Sequence, residues 1–119
     1  MFVISGVHHV SLNVTDAAES TRFYVDVLGF AERSDRPDFP FDGAWLQVGD
    51  QQVHLLEVAD FVPPKGQHFA LQVDDLDAMR VELIERGVEV SEPSPIGDVC
   101  RQCFFTDPTG NLIELNQPL

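Results

Sequence analysis

The chain of 119 residues contains one sequence pattern twice. Residues 6–16 read GVHHVSLNVTD, and residues 66–75 read GQHFALQVDD. Aligning His9 with His68 requires a shift of 68 − 9 = 59 residues, and aligning His54 with Glu114 requires 114 − 54 = 60. A nearly constant offset across half a chain indicates one supersecondary unit in two copies. The fold is therefore restricted to two similar modules.

Each half predicts the same order of elements. An alternating strand opens each half, at 7–14 and 67–73, and an acidic N-cap then starts a helix that ends before Gly29 or Gly87. Three strands follow each helix, at 30–33, 44–48 and 52–58 in the first half and at 88–92, 101–106 and 111–116 in the second.

The order β-α-β-β-β, twice, predicts an α+β fold. The modules cover about 5–58 and 67–118, and residues 59–66 form a short linker, so that 1–119 is a single domain. We expect the two modules to form a curved mixed sheet with a metal-binding cavity on its concave face.

Strand alternation places four potential metal ligands on the face that points away from the helices. On the first strand, for example, Val10 and Leu12 would pack on the helix and His9 would point the other way. Three imidazoles and one carboxylate are typical donors for a divalent transition metal. The predicted ligands are His9, His54, His68 and Glu114. His8 has the opposite parity, and we expect it to be structural or exposed at an edge.

Charge and composition narrow the function classes. The net charge of −13 disfavours nucleic acid and anionic membranes as partners. No apolar run approaches the length of a membrane span, and the N-terminus lacks the features of a signal peptide, so a cytoplasmic location is predicted. Cys100 and Cys103 lie in a predicted strand, where residues three apart face opposite sides and are too distant for a disulfide.

The sequence resembles the vicinal oxygen chelate superfamily, which contains glyoxalase I, bleomycin-resistance proteins, extradiol dioxygenases and fosfomycin-modifying enzymes. The segments that carry the resemblance are 9–16, 23–30, 68–75 and 105–115. It implies ligands on the first and last strand of each module, which are again His9, His54, His68 and Glu114. It also implies a homodimer, often with metal sites built from two chains. Bleomycin-binding members usually lack the metal set, so its presence favours an enzyme.

The resemblance leaves three functions open. In a glyoxalase I-like lyase or isomerase, the substrate chelates Ni, Zn, Mn or Fe through adjacent oxygens, and Glu114 or His54 moves a proton. In an Fe(II) extradiol-type dioxygenase, His9, His68 and Glu114 form a facial triad and His54 acts as acid or base. The third function is non-catalytic small-molecule binding or resistance.

The sequence departs from the family resemblance in two respects. Glyoxalase I-like members usually have Glu or Gln where this chain has His54. The only tyrosine, Tyr24, lies on a predicted helix and does not match the tyrosine that extradiol dioxygenases often use.

The irregular segment 36–43 carries aromatic residues that could close over a ligand. Arginines are scattered, with no cluster suited to glutathione carboxylates. The predicted substrate-cavity residues are Ser11, Trp45, Gln52 and Phe104.

Overall fold

The computed structural model describes residues 2–119. The chain divides into two compact units, with the boundary between Phe61 and Val62 inside the predicted linker. The first unit contains β1 (His9–Val14), α1 (Ala17–Arg22) with a π-helical turn (Phe23–Val27), β2 (Ala31–Glu32), β3 (Gly43–Val48) and β4 (Gln51–Glu57). The second contains β5 (His68–Gln72), α2 (Leu76–Glu85), β6 (Ser94–Ile96), β7 (Cys100–Thr106) and β8 (Leu112–Pro118). The predicted α+β class and the two β-α-β-β-β modules are confirmed.

Each module forms its own mixed four-stranded sheet. The strand orders are β1-β4-β3-β2 and β5-β8-β7-β6, and the first pair in each sheet is parallel. Ser11 lies opposite His54 in the first sheet, and Ala70 lies opposite Glu114 in the second. These pairs differ by 70 − 11 = 59 and 114 − 54 = 60 positions. The duplication seen in the sequence therefore extends to the strand register.

Similar local signals define both helices. Asp16 accepts a hydrogen bond from the Glu19 backbone nitrogen, and Asp75 accepts one from the Ala78 nitrogen, each at 3.0 Å. These N-cap contacts satisfy a backbone donor at the start of each helix. Gly87, just after α2, has a φ of 86°, a left-handed conformation that glycine adopts at little cost.

The helix of module one differs from that of module two in its last turn. The Leu28 nitrogen donates to the Phe23 carbonyl at 3.2 Å, five residues back, which is the π-helical spacing. On this helix Tyr24 is fully buried, whereas Phe23 and Val27 are half-buried. In module two, Leu76 and Leu83 are fully buried and Met79 is half-buried.

The prediction of a strand at 88–92 is wrong. β6 instead spans Ser94–Ile96 and pairs with β7. The apolar alternation of Val88 and Val90 reflects core packing, since Val90 is buried without belonging to a strand. Pro95 lies within β6, which is an edge strand where a missing backbone donor is tolerated.

The structure also bears on the predictions about membrane spans and about the two cysteines. Within residues 2–119, no helix combines the length and the apolar character that crossing a bilayer demands. Cys100 and Cys103 on β7 are both free and buried, and burial raises the pKa of the Cys103 thiol. A raised pKa keeps a thiol protonated and weakly nucleophilic, which does not fit a redox-active pair.

Candidate functional site

Module one brings two imidazoles together. His9 opens β1, and His54 lies on the neighbouring strand β4. Their rings stack with centroids 4.0 Å apart and an interplanar angle of 16°. His54 is buried, at 8% exposure, whereas His9 is exposed.

The surroundings of His54 favour its neutral form. Its Nε2 donates to Gln52 Oε1 at 2.9 Å, which leaves Nδ1 as the unprotonated nitrogen. Burial lowers the pKa of His54, and the neighbouring His9, His8 and Arg33 lower it further. A neutral imidazole is the form that binds a metal or accepts a proton.

His8 is exposed and lies just outside β1. Its Nδ1 lies 2.9 Å from the Nδ1 of His9, so one ring donates a hydrogen bond to the other. His8 therefore contacts a predicted ligand from outside the strand.

Module two pairs an imidazole with a carboxylate. His68 opens β5, and Glu114 lies on β8 with only 7% exposure. His68 Nε2 lies 3.1 Å from Glu114 Oε1. The other carboxylate oxygen, Oε2, accepts a hydrogen bond from Asn116 Nδ2 at 2.8 Å. The carboxylate is thus held from both sides.

The donor chemistry of this second pair fits a divalent metal. His68 Nδ1 donates to the Gly66 carbonyl oxygen at 2.9 Å, so the neutral ring has its lone pair on Nε2. That lone pair faces the acceptor oxygen of Glu114, and two facing acceptors need a proton or a cation between them. A backbone carbonyl that fixes the tautomer in this way is a common second-layer contact for a metal-binding histidine.

The four predicted ligands therefore occur as one pair in each module: His9 with His54, and His68 with Glu114. No group of three or more His, Cys, Asp or Glu side chains among residues 2–119 is placed to hold a metal ion. Nitrogen and carboxylate donors of this kind suit Ni, Zn, Mn and Fe.

An aromatic residue contacts each pair from the adjacent strand. Trp45 on β3 lies opposite His54 and stacks on it, with centroids 4.4 Å apart and an interplanar angle of 9°. Phe104 on β7 lies opposite Glu114 and contacts the His68 ring edge-on at 5.3 Å. The two aromatic residues thus occupy matching positions in the two modules.

A cavity of about 140 Å³ adjoins His54 in module one. Its lining residues are Ser11, Arg36, Phe39, Phe41, Trp45, His54, Leu55 and Leu56. Of the residues predicted to line a substrate cavity, Ser11 and Trp45 lie here. Gln52 is instead a hydrogen-bond partner of His54, and Phe104 lines a separate cavity of about 400 Å³ in module two.

Sequence reasoning missed two contributors to these arrangements. Asn116 holds Glu114, and its position two residues further along β8 is the signal that puts both side chains on one face. Arg36 lines the cavity together with Phe39 and Phe41, whereas the sequence suggested only the aromatic residues of this loop. The spacing of Arg36 and the two phenylalanines is a weak signal by itself.

Comparisons with known proteins agree with this architecture. The chain is 29% identical to "Glyoxylase I 4" of Arabidopsis thaliana, over 94% of this chain and 70% of that protein. It is 32% identical to "Probable lactoylglutathione lyase" of Vibrio cholerae, over 92% of this chain and 88% of the relative. The crystal structure of TnmS3, an antibiotic binding protein from Streptomyces sp. CB03234, superposes with a TM-score of 0.82 and 34% identity over the whole of both chains.

The family assignment rests on the sequence profile of the whole domain. The profile of the Glyoxalase/Bleomycin resistance protein/Dioxygenase superfamily matches residues 6–115, which include both modules and both candidate ligand pairs. The chain belongs to the Glyoxalase/Bleomycin resistance protein/Dioxygenase superfamily.

Proposed function

We propose that the protein is a metal-dependent, glyoxalase I-like lyase or isomerase. Its substrate would be a small molecule that chelates the metal through two adjacent oxygens. We assign His9, His54, His68 and Glu114 as the metal ligands, for a divalent ion of Ni, Zn, Mn or Fe. The similarity to the lactoylglutathione lyase relative supports this reaction class. A homodimer is part of the same proposal.

The observation that carries the proposal is the contact between His68 and Glu114. An imidazole whose tautomer is fixed by a backbone carbonyl faces a buried carboxylate at 3.1 Å. Burial without a counter-charge is costly for a carboxylate, and a bound cation offsets that cost. The pair is therefore better suited to metal binding than to packing.

The chain's own residues supply proton transfer and positioning. A bound divalent ion would stabilise negative charge on the chelated substrate oxygens. If His9, His68 and Glu114 alone hold the metal, His54 is the candidate base, because burial lowers its pKa and its Nδ1 is free to accept a proton. Glu114 is the second candidate base, and the Asn116 hydrogen bond fixes one of its oxygens while the other faces His68.

The experiment that tests this function combines metal content with turnover. Protein purified without added metal is analysed by mass spectrometry for bound metal, beside His68→Ala and a control variant, Gln67→Ala, at the exposed neighbouring position. We expect about one equivalent of metal in the wild type and in Gln67→Ala, and at least a tenfold loss in His68→Ala. Conversion of a glutathione hemithioacetal with added Ni or Zn would establish the lyase. Fe(II)-dependent cleavage of a catechol would establish the dioxygenase instead.

A second candidate function is binding of a small molecule without chemistry. Two observations favour it: the 34% identity to the antibiotic binding protein TnmS3 and the aromatic lining of the cavity beside His54. Negligible metal in both the wild type and His68→Ala, together with saturable ligand binding, would replace the lyase with this function.

A further inference from the structure

Arg36 differs from four other arginines of the chain in its contacts. Those four each pair with a carboxylate: Arg33, Arg80, Arg86 and Arg101. Arg36 instead donates from Nη2 to the Phe41 carbonyl oxygen at 2.8 Å. Its guanidinium carbon lies 5.1 Å from the centre of the Phe39 ring and 5.5 Å from that of Phe41. These contacts orient the cation, and none of them is to a carboxylate.

Aromatic surface is concentrated at the same place. The rings of Phe39 and Phe41 stack with centroids 5.1 Å apart, and Phe39 also contacts Trp45 at 6.2 Å. Phe39 and Phe41 are 37% and 39% exposed. Exposed rings beside a cavity offer apolar area and aromatic edges to a further ring.

The cavity has the volume of one small ring. It measures about 140 Å³, and an apolar cavity of roughly 150 Å³ is known to hold benzene. The lining therefore favours a ligand group that is planar and compact.

Charge restricts the ligand further. Arg36 also lines an adjoining cavity of about 440 Å³, together with the carboxylates Glu32, Asp42 and Glu57. Within residues 2–119, no other Lys or Arg lines either cavity. Any attraction for an anion at this position must come from Arg36, because the surrounding carboxylates repel one.

We propose that this cavity binds a single planar aromatic ring that carries an anionic group, and that Arg36 determines this specificity. Phe39, Phe41 and Trp45 contact the ring, and the guanidinium of Arg36 binds the anionic group. Because His54 also lines the cavity, the ligand would lie beside a proposed metal ligand. The inference names the substrate class of the proposed function and rests on that function for its chemistry.

Trp45 provides a direct readout, since it is the only tryptophan of the chain. Chelator-treated protein is titrated with benzoate, with cyclohexanecarboxylate of equal charge, and with uncharged benzyl alcohol, while Trp45 fluorescence is followed. We expect saturable quenching by benzoate, with an affinity at least about fivefold above that of either comparison compound, because only benzoate has both ring and charge.

Two variants separate the contributions of ring and charge. Arg36→Gln should weaken benzoate binding about tenfold and change benzyl alcohol binding less than about twofold, because it removes a charge-assisted contact. Arg22→Gln, an exposed arginine on α1, is the matched control and should leave both affinities unchanged. Phe39→Leu keeps the loop apolar and should weaken benzoate and benzyl alcohol alike.

Equal binding of benzoate and cyclohexanecarboxylate would overturn the inference, and so would unchanged benzoate binding in Arg36→Gln. Because binding is measured without metal, its failure is distinguishable from failure of the proposed lyase. If the protein binds metal but benzoate does not quench its Trp45 fluorescence, only the proposed binding of an aromatic anion is contradicted. Protein that binds benzoate but retains no metal contradicts only the lyase.

Discussion

The two modules share a scaffold but surround their candidate ligands with different chemistry. Strand register, helix caps and an aromatic residue opposite the last-strand ligand are common to both. Module one presents two stacked imidazoles, and burial lowers the pKa of the second, His54. Module two presents an imidazole facing a buried carboxylate. A duplicated backbone can therefore keep positions constant while each copy specialises its side chains.

The difference extends to how each module supports its site. In module one, Gln52 contacts His54 from two residues earlier on β4. In module two, Asn116 contacts Glu114 from two residues later on β8. Among residues 2–119, only module one has an aromatic loop with an arginine beside its pair. The side chains beside the pair in module one thus suit contact with a small-molecule ligand. Those of module two suit binding of a cation.

The largest expected effect concerns the hairpin turns that precede the last strands. In module two, Asp107 Oδ1 accepts hydrogen bonds from the backbone nitrogens of Thr109, Gly110 and Asn111, and Asp107 is 4% exposed. We expect Asp107→Ala to lower the free energy of unfolding by about 3 kcal/mol, because three backbone donors, of which the Asn111 nitrogen is buried, lose a charged acceptor. Urea unfolding followed by circular dichroism measures this.

Module one supplies the matched control for that change. Its turn consists of Gly49 and the exposed Asp50. Asp50→Ala should change stability by less than about 0.5 kcal/mol. Similar losses in both variants would show that the two turns are equivalent and would contradict the contrast drawn between them.

A smaller effect is expected where β3 of module one approaches β4. A Cβ atom on Gly43 would overlap the Leu55 carbonyl oxygen, whereas the matching position in module two holds Gln102. We expect Gly43→Ala to destabilise the protein by about 2 kcal/mol through backbone displacement. Gln102→Ala serves as control and should cost less than about 1 kcal/mol. Unchanged stability of Gly43→Ala would mean that β3 and β4 can move apart at this position without a loss of stability.

The smallest expected effect is a pH dependence that belongs to module one. Burial lowers the pKa of His54 below its ordinary value of 6.5, so the unfolded chain binds the proton more readily than the folded chain. For metal-free protein, the free energy of unfolding should therefore fall as the pH is lowered through about 6.5. We expect His54→Gln to reduce this slope. Equal slopes in the wild type and His54→Gln would show that His54 is not the group responsible.

Much of the fold follows from local signals that survive duplication. Alternation, acidic caps and the glycines after each helix predict the element order, because each reports a short-range backbone requirement. The strand at 88–92 is mispredicted because Val90 packs in the core without strand pairing, a tertiary effect that periodicity does not distinguish. The π-helical turn is likewise invisible to spacing rules, which assume a regular helix.

The candidate site was predictable only in part. Strand parity identifies the faces of His9, His54, His68 and Glu114, since side chains alternate by geometry. The contacts of Arg36 depend on how an irregular loop folds back on itself, and no periodic signal encodes that path. The sequence pattern also does not predict which rings stack or which oxygen faces which nitrogen.

We propose, as the central claim, that both candidate pairs are required for metal binding. The most direct measurement is the stoichiometry and affinity of a divalent metal by isothermal titration calorimetry. The wild type is compared with His9→Ala/His54→Ala and with His68→Ala/Glu114→Ala. We expect one ion per wild-type chain and at least about a 100-fold loss of affinity when either pair is removed. Two ions per wild-type chain would contradict the claim, as would unchanged binding of one ion after loss of either pair.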